Sequence, residues 1–227
     1  MISNKEEPIK GEILLIDKPK DYTSARVVNI IKKKLNVKKA GHSGTLDPKA
    51  SGLMIIGTYK MTKYLGELLE TDKEYEGLMI LGESTASFDS ETEVIKRSNL
   101  ENIDTQIVRA MFKNFTGEME QIPPMYSAIK FNGKPLYKFA RKNVEIDRKS
   151  RKVFIKEFEP KRIELPEVEF RVVCSKGTYI RSLVNDFGEK LGTGAYLKEL
   201  RRTRIGKFDV KDSITLETFL NNYHETN

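Results

Sequence analysis

The sequence predicts an α+β domain built on a mainly antiparallel, mixed sheet flanked by helices and loops. Three observations carry that expectation. Apolar and polar residues alternate over Val153 to Phe158 and Glu167 to Ser175, as in half-buried strands. Helical spacing recurs in Val27, Val28, Ile30, Ile31 and Leu35, and again over Thr178 to Lys190. Strands and helices are mixed without the strict alternation of a doubly wound parallel sheet.

The elements follow in order. Glu12 to Asp17 is a short aliphatic run closed by Lys18-Pro19, hence a buried strand and a turn. Thr23 or Ser24 caps the next helix, which turns Lys32 to Lys34 toward water. Gly41 to Gly52 is a built loop: three glycines, one proline, the hydroxyls of Ser43, Thr45 and Ser51, with His42 and Asp47 among them. It runs into a strand over Leu53 to Thr58. Thr62 to Glu70 reads as a short helix, Lys73 to Glu83 as a long strand, and Asp104 to Asn114 as a helix. Pro123-Pro124 interrupts regular structure, Met125 to Phe131 resumes as a strand before the Asn132-Gly133 turn, and Pro135 opens a helix through Arg141. Val144 to Asp147 is a further strand, Leu200 to Arg204 another, and Leu216 to Tyr223 a last helix.

At 227 residues the chain can bury one substantial core, removing roughly 70% of its unfolded surface from water. Its apolar runs reach four residues, against the roughly 20 that a membrane-spanning helix needs. With no secretion signal in MISNKEEPIKGE, a cytoplasmic location follows. One cysteine, Cys174, and two histidines exclude a disulfide framework and a zinc cluster. A carboxylate-held magnesium ion stays open on composition. Forty basic and thirty-three acidic side chains leave a charge of +7, unevenly spread. Arg26, Lys32, Lys33, Lys34, Lys38 and Lys39 have no acid between them, Arg141 to Arg162 holds nine bases against four acids, and a third cluster spans Lys198 to Lys211. Glu67 to Asp104 carries eleven acids and three bases. Such polarity suits a phosphate-bearing partner, although any one lysine cluster is as often solvated surface.

The Gly41 to Gly52 loop lacks the GxxxxGK[ST] spacing of a nucleotide-binding P-loop. Asp47 stands out within it, because Pro48 pushes it toward an extended backbone and the glycines permit turns that project its carboxylate. Alone, an Asp-Pro pair more often bonds its own turn. Tyr75 offers an aromatic face and a hydroxyl, or half-buried strand packing. Arg181 opens a helix after a glycine turn, where a guanidinium meets a carboxylate or phosphate, or simply faces water. Leu200 to Arg204 alternates basic and other residues, as a phosphate track or an exposed edge.

Together these stretches resemble one family, the TruB-type tRNA pseudouridine synthases. The resemblance covers about residues 11 to 210, through Asp17-Lys18-Pro19, the Gly41 to Gly52 loop, Gln121 to Lys130, Lys176 to Leu183 and Leu200 to Gly206. Ser43 and Ser51 stand where the family commonly shows threonine, which keeps the hydroxyl. The resemblance implies the pseudouridine synthase fold and isomerisation of the T-loop uridine of tRNA. It implies that Asp47 is the nucleophilic aspartate, that Tyr75 stacks on the target base and assists proton transfer, and that Arg181 pairs with the catalytic carboxylate. His42 is then the histidine beside extruded bases, Lys18 and Pro19 brace the pocket, Leu200 is its apolar wall, and Tyr179 and Arg202 join the substrate-binding residues. The partner implied is the T-arm stem-loop of tRNA, bound by a monomer with neither membrane nor obligate protein partner. Residues 1–10 form a tail and residues 11–227 one catalytic domain without the RNA-binding PUA domain that longer relatives carry.

Uridine and pseudouridine contain the same atoms at the same oxidation level, so exchanging an N1 for a C5 glycosidic bond needs no redox cofactor, and no cofactor or metal is expected. The reaction needs a carboxylate that attacks C6 or C1′ or removes the 2′ proton, and a pocket that retains the detached base. Two other readings remain: a non-catalytic RNA-binding or RNA-folding module, and a synthase of the same family acting on another RNA.

Overall fold

The structure, a computed structural model, describes residues 11–222. The expected tail and Tyr223 of the last helix lie outside the described residues. The chain divides into two compact units, one of Met1–Thr71 with Arg202–Asn227 and the other of Asp72–Arg201.

In the first unit β1 (Ile13–Lys18), α1 (Ser24–Lys34), β2 (Ala40–His42), β3 (Ser51–Thr58) and α2 (Leu65–Glu70) follow one another. Thr23 caps α1, its Oγ1 accepting the Arg26 N–H at 3.1 Å. The helix buries Val27, Val28 and Ile31, and its last turn places Lys32 to Lys34 where the helix dipole is negative. β1 runs antiparallel to β3 with Ile16 opposite Met54. Leu53 to Ile56 is buried on both faces, which is why this strand reads as an unbroken apolar run rather than an alternating one. Leu53 and Ile55 pack with Leu65, Leu68 and Ile205 in one cluster.

The second unit contains β4 (Lys73–Leu81), β5 (Glu83–Thr85), β6 (Val94–Arg97), α3 (Thr105–Phe112), β7 (Gly117–Gln121), β8 (Lys130–Phe131), β9 (Lys134–Pro135), α4 (Tyr137–Ala140), β10 (Arg151–Glu164), β11 (Glu167–Cys174) and α5 (Ile180–Leu191). β12 (Ala195–Ile205) begins in this unit and, from Arg202, returns the chain to the first, where β13 (Phe208–Asp209), β14 (Ile214–Thr215) and α6 (Leu216–Asn222) complete it. Strand order is β12-β4-β11-β10-β7 in the second unit and β14-β1-β3-β12 in the first, with β14 parallel to β1. The expected α+β arrangement around a mainly antiparallel, mixed sheet is therefore present.

Helices reach the second unit's sheet through aromatic rings. Phe112 of α3 lies 4.5 Å from Phe158 of β10 and 4.9 Å from Phe187 of α5, ring centre to ring centre, and Phe158 lies 5.4 Å from Phe170 of β11. Gly77 stands opposite Phe170 across the β4-β11 pair, and a Cβ there would come within 2.5 Å of the phenylalanine ring. Glycine thus makes room for the ring in the core. No helix among the described residues is long and apolar enough to cross a membrane.

Two expected strands do not form. In Met125 to Phe131 only Lys130–Phe131 is extended, paired with β9 around the Asn132-Gly133 turn. Upstream, the carbonyls of Ile122, Pro123 and Tyr126 accept from the side chains of Ser182, Arg148 and Arg181, so side chains take over what a neighbouring strand would supply. Val144 to Asp147 alternates but lies outside any sheet; Val144 is exposed, and the carbonyl of Ile146 accepts from Arg148 instead. The helix expected from Pro135 shrinks to α4. The helix expected over Thr62 to Glu70 starts at Leu65, after a tight turn of 3₁₀ geometry over Tyr59–Thr62.

Phe187→Ala should cost about 3–5 kcal/mol in urea unfolding, through lost burial and an unfilled space between α3 and β10. Ile95, 70% exposed on β6, should change stability by about 0.5 kcal/mol or less when replaced by alanine.

Candidate active site

Asp47 sits half-buried in the loop joining β2 to β3. Every turn of this loop is tied to a neighbour. Ser43 N–H donates to the Ile55 carbonyl at 3.0 Å and Ala50 N–H to the Asp47 carbonyl at 3.1 Å. Ser24, at the start of α1, accepts the Leu46 N–H at 2.9 Å and donates to the Leu46 carbonyl at 3.0 Å. The Pro48 carbonyl receives Asp21 N–H at 2.8 Å and Lys18 Nζ at 3.3 Å.

Two buried cations hold the rest. Lys18, 0% exposed at the end of β1, donates also to the carbonyls of Pro19 at 2.8 Å and Tyr22 at 2.7 Å. Burial pulls its pKa from 10.5 down to about 8, a fall that the nearby carboxylates of Asp47 and Asp21 oppose. Arg202, 1% exposed on β12, donates Nε to the Leu53 carbonyl at 2.8 Å and Nη2 to the Gly44 carbonyl at 3.1 Å, and Nη1 reaches the Thr45 carbonyl at 3.5 Å. The Leu200 to Arg204 stretch is thus no simple exposed edge: Leu200 and Arg202 point inward. Gly52, at φ +103°, lets the β12 backbone come close, since a Cβ there would lie 2.3 Å from the Arg202 carbonyl oxygen.

His42 turns back on its own loop, Nδ1 accepting the Gly44 N–H at 3.2 Å. That bond requires Nδ1 to be unprotonated and puts the ring proton on Nε2. Burial, and then the Arg202 guanidinium, lower its pKa below the ordinary 6.5.

In the second unit Arg181 is 2% exposed on α5, so it is not a surface helix residue. Its Nε lies 3.5 Å from Asp89 Oδ2, Nη1 donates to the Ser87 carbonyl at 3.1 Å and Nη2 to the Tyr126 carbonyl at 2.9 Å. Asp89 is itself buried, and its Oδ1 accepts from Ser87 Oγ and from the Glu91 N–H. Tyr75 is buried on β4 opposite Val172, and Leu200 is buried on β12. Tyr179, just before α5, has its backbone clasped by Gln121, whose Oε1 accepts the Tyr179 N–H at 2.7 Å while Nε2 donates to its carbonyl at 3.0 Å. The Arg151 guanidinium stacks 4.4 Å from the Tyr179 ring centre.

The structure therefore brings Asp47, Lys18, Pro19, His42 and Arg202 together in the first unit. In the second, Arg181 and Tyr179 share the start of one helix. Asp89, Gln121 and Arg148 were missed by sequence reasoning. Asp89 lies within the acidic run from Glu67 to Asp104, where composition does not distinguish it from its neighbours. Its signal is the ring of hydroxyls around it, Ser87, Ser90 and Thr92, of which Ser87 and Thr92 bond into the same turn.

His42 favours its neutral form in the fold. The stability this contributes should be full above pH 6.5 and fade as pH falls through the lowered folded value. A pH series of urea unfolding on wild type and His42→Gln should show the wild type's extra acid sensitivity, and an imidazole NMR titration should place the midpoint below 6.5. Asp89→Ala removes a buried carboxylate from beside a buried guanidinium and should cost about 3–5 kcal/mol in the same assay.

The family profile described as TruB family pseudouridylate synthase (N terminal domain) matches residues 32–180. One described as tRNA pseudouridylate synthase B C-terminal domain matches residues 181–227. The tRNA pseudouridine synthase B of Flavobacterium johnsoniae is 48% identical over 94% of this chain and 96% of its own length. That of Opitutus terrae is 46% identical over 90% of this chain and 85% of its own. Among solved structures, the Cbf5-Nop10-Gar1 complex contains a chain with TM-score 0.74 and 36% identity, covering 93% of this chain and 54% of that one. This chain thus spans about half the length of that structural relative.

Proposed function

The chain belongs to the TruB family of pseudouridylate synthases, and on that footing we propose that it converts the T-loop uridine of tRNA to pseudouridine. The enzyme is an isomerase acting on tRNA, and the cytoplasm is the compartment proposed for it. The observation that carries this reading is Asp47: it stands in the Gly44-Thr45-Leu46-Asp47-Pro48 stretch, half-buried, in a loop whose backbone is tied to Lys18, Ser24 and Arg202.

In turnover the N1 glycosidic bond breaks, the uracil turns while retained, and C5 bonds to C1′. The C5 proton leaves to solvent and N1 gains one, so atoms and electrons balance without a co-reactant. Asp47 serves as the ionised group that attacks C6 or C1′ or takes the 2′ proton. A loop already tied to buried donors does not have to order itself when substrate arrives, and that lowers the barrier by prior positioning. Lys18 and Arg202 act through this loop rather than on the base. Arg181 supplies the fixed positive charge that an anionic catalytic group requires, and Tyr75 the ring and hydroxyl for the extruded base, with His42 packing beside the unstacked nucleotides. Extrusion costs a few kcal/mol, offset by stacking at about 1–3 kcal/mol per base. Leu200 offers an apolar surface to the base, and Tyr179, two positions before Arg181, contacts the substrate.

Tritium release from C5-labelled uridine in a tRNA transcript tests the reading directly. Wild type should release label, Asp47→Asn should release none, and Arg181→Lys should lose about 10²-fold or more in turnover, because a point charge replaces a planar fork. Release by Asp47→Asn at the wild-type rate would remove Asp47 from the chemistry.

A further inference from the structure

The three basic clusters of the sequence have different fates in the fold. In the second unit, Arg141 pairs with Glu91, Lys152 with Glu118, Lys156 with Asp72, Lys161 with Glu76, and Arg162 with Glu164 and Glu169. Carboxylates therefore cancel much of that cluster. The first unit differs. Residues 22–66 hold nine basic side chains, Arg26, Lys32, Lys33, Lys34, Lys38, Lys39, Lys49, Lys60 and Lys63, and one acid, Asp47. Among the described residues, Lys49 alone of these is ion-paired, with Asp21.

Three of the other lysines meet at an open concavity of the surface. Lys39, Lys60 and Lys63, all exposed, line a cleft of about 300 Å³ together with Tyr59. Tyr59 is half-buried, and its backbone lies at φ +42°, a left-handed conformation that a bulky residue rarely adopts. It is held there from both ends: its N–H donates to the Lys39 carbonyl at 3.0 Å, its hydroxyl accepts the Lys38 N–H at 3.4 Å, and its carbonyl accepts from Thr62 Oγ1 at 2.8 Å. Strain held by such ties marks a ring with a task. An aromatic wall among three ammonium groups matches the chemistry of a nucleotide, whose phosphate needs cations and whose base or ribose needs a flat apolar surface.

We propose that the cleft of Lys39, Tyr59, Lys60 and Lys63 is an RNA-backbone subsite that holds one phosphodiester and the adjoining base or sugar of the substrate. The inference rests on the tRNA reading above and adds a contact outside the residues assigned there. It sets register without reading sequence, as phosphate contacts do.

Equilibrium binding of labelled tRNA by the full chain across a salt series tests it. Lys60→Ala with Lys63→Ala should weaken binding about ten-fold or more near 0.1 M salt, and should lower the slope of log affinity against log salt by about 2. Tyr59→Asn, which tolerates the left-handed backbone, should lose about five-fold or more with the salt slope kept. Lys156→Ala with Lys161→Ala removes the same charge from lysines already paired to carboxylates and should change affinity little. An equal loss in that control would show that net charge governs, and would overturn the cleft, as would unchanged binding in the cleft variants. Polyglutamate is the second probe: a loss of polyglutamate binding in Tyr59→Asn matching its loss of tRNA binding would mean a site for acidic protein and overturn the RNA assignment. Pseudouridine formation is scored separately on the same tRNA. A wild type that binds but does not isomerise would sink the catalytic reading while the binding arms still decide the cleft.

Discussion

The buried guanidinium of Arg202 is the interaction on which the first unit's site depends. Taking a permanent cation out of water costs several kcal/mol, so it persists only where acceptors surround it. Here those acceptors are main-chain carbonyls, Leu53 from β3 and Gly44 and Thr45 from the loop that carries Asp47. Satisfying the charge and shaping the loop are the same act. A fork of fixed geometry also dictates where those carbonyls must lie, which a lysine's single ammonium would not.

Lys18 repeats the device with a softer group. Its ammonium draws the carbonyls of Pro19, Tyr22 and Pro48 into one place and so joins the end of β1 to the far side of the same loop. Arg181 does the corresponding work in the second unit, drawing in the carbonyls of Ser87 and Tyr126 with Asp89 as its carboxylate. Irregular backbone around each site is therefore organised by buried cations and not by strand pairing. That choice leaves the segments free to take the turns a substrate pocket needs, since no ladder constrains their direction.

The rest of the second unit supplies rigidity. Rings from two helices and two strands interlock, and Gly77 opens the space that Phe170 occupies. On the outer faces, Arg171 gathers Glu74, Glu157 and Glu159 across β4, β10 and β11. Exposed pairs such as Lys161 with Glu76 add little each to stability, but they neutralise part of a basic stretch.

Local patterns decided much of this protein. Thr23 before an amphipathic run set α1, the unbroken apolar stretch of Leu53 to Ile56 set β3, and alternation set β10 and β11, because each depends on neighbours in sequence. The five ordered motifs identified the family and singled out Asp47 and Arg181. The same reasoning made strands of Met125 to Phe131 and Val144 to Asp147, of which only Lys130–Phe131 finds a strand partner. It also left Asp89 undistinguished within an acidic run and gave three basic clusters equal weight. Those matters turn on partners far away in the chain: Ser182 lies 60 residues from the carbonyl it satisfies, Arg181 94 residues from Ser87, and Arg202 149 residues from Leu53. A residue's type and spacing fix what it is able to bond, whereas burial and the identity of the partner exist only once distant segments have met.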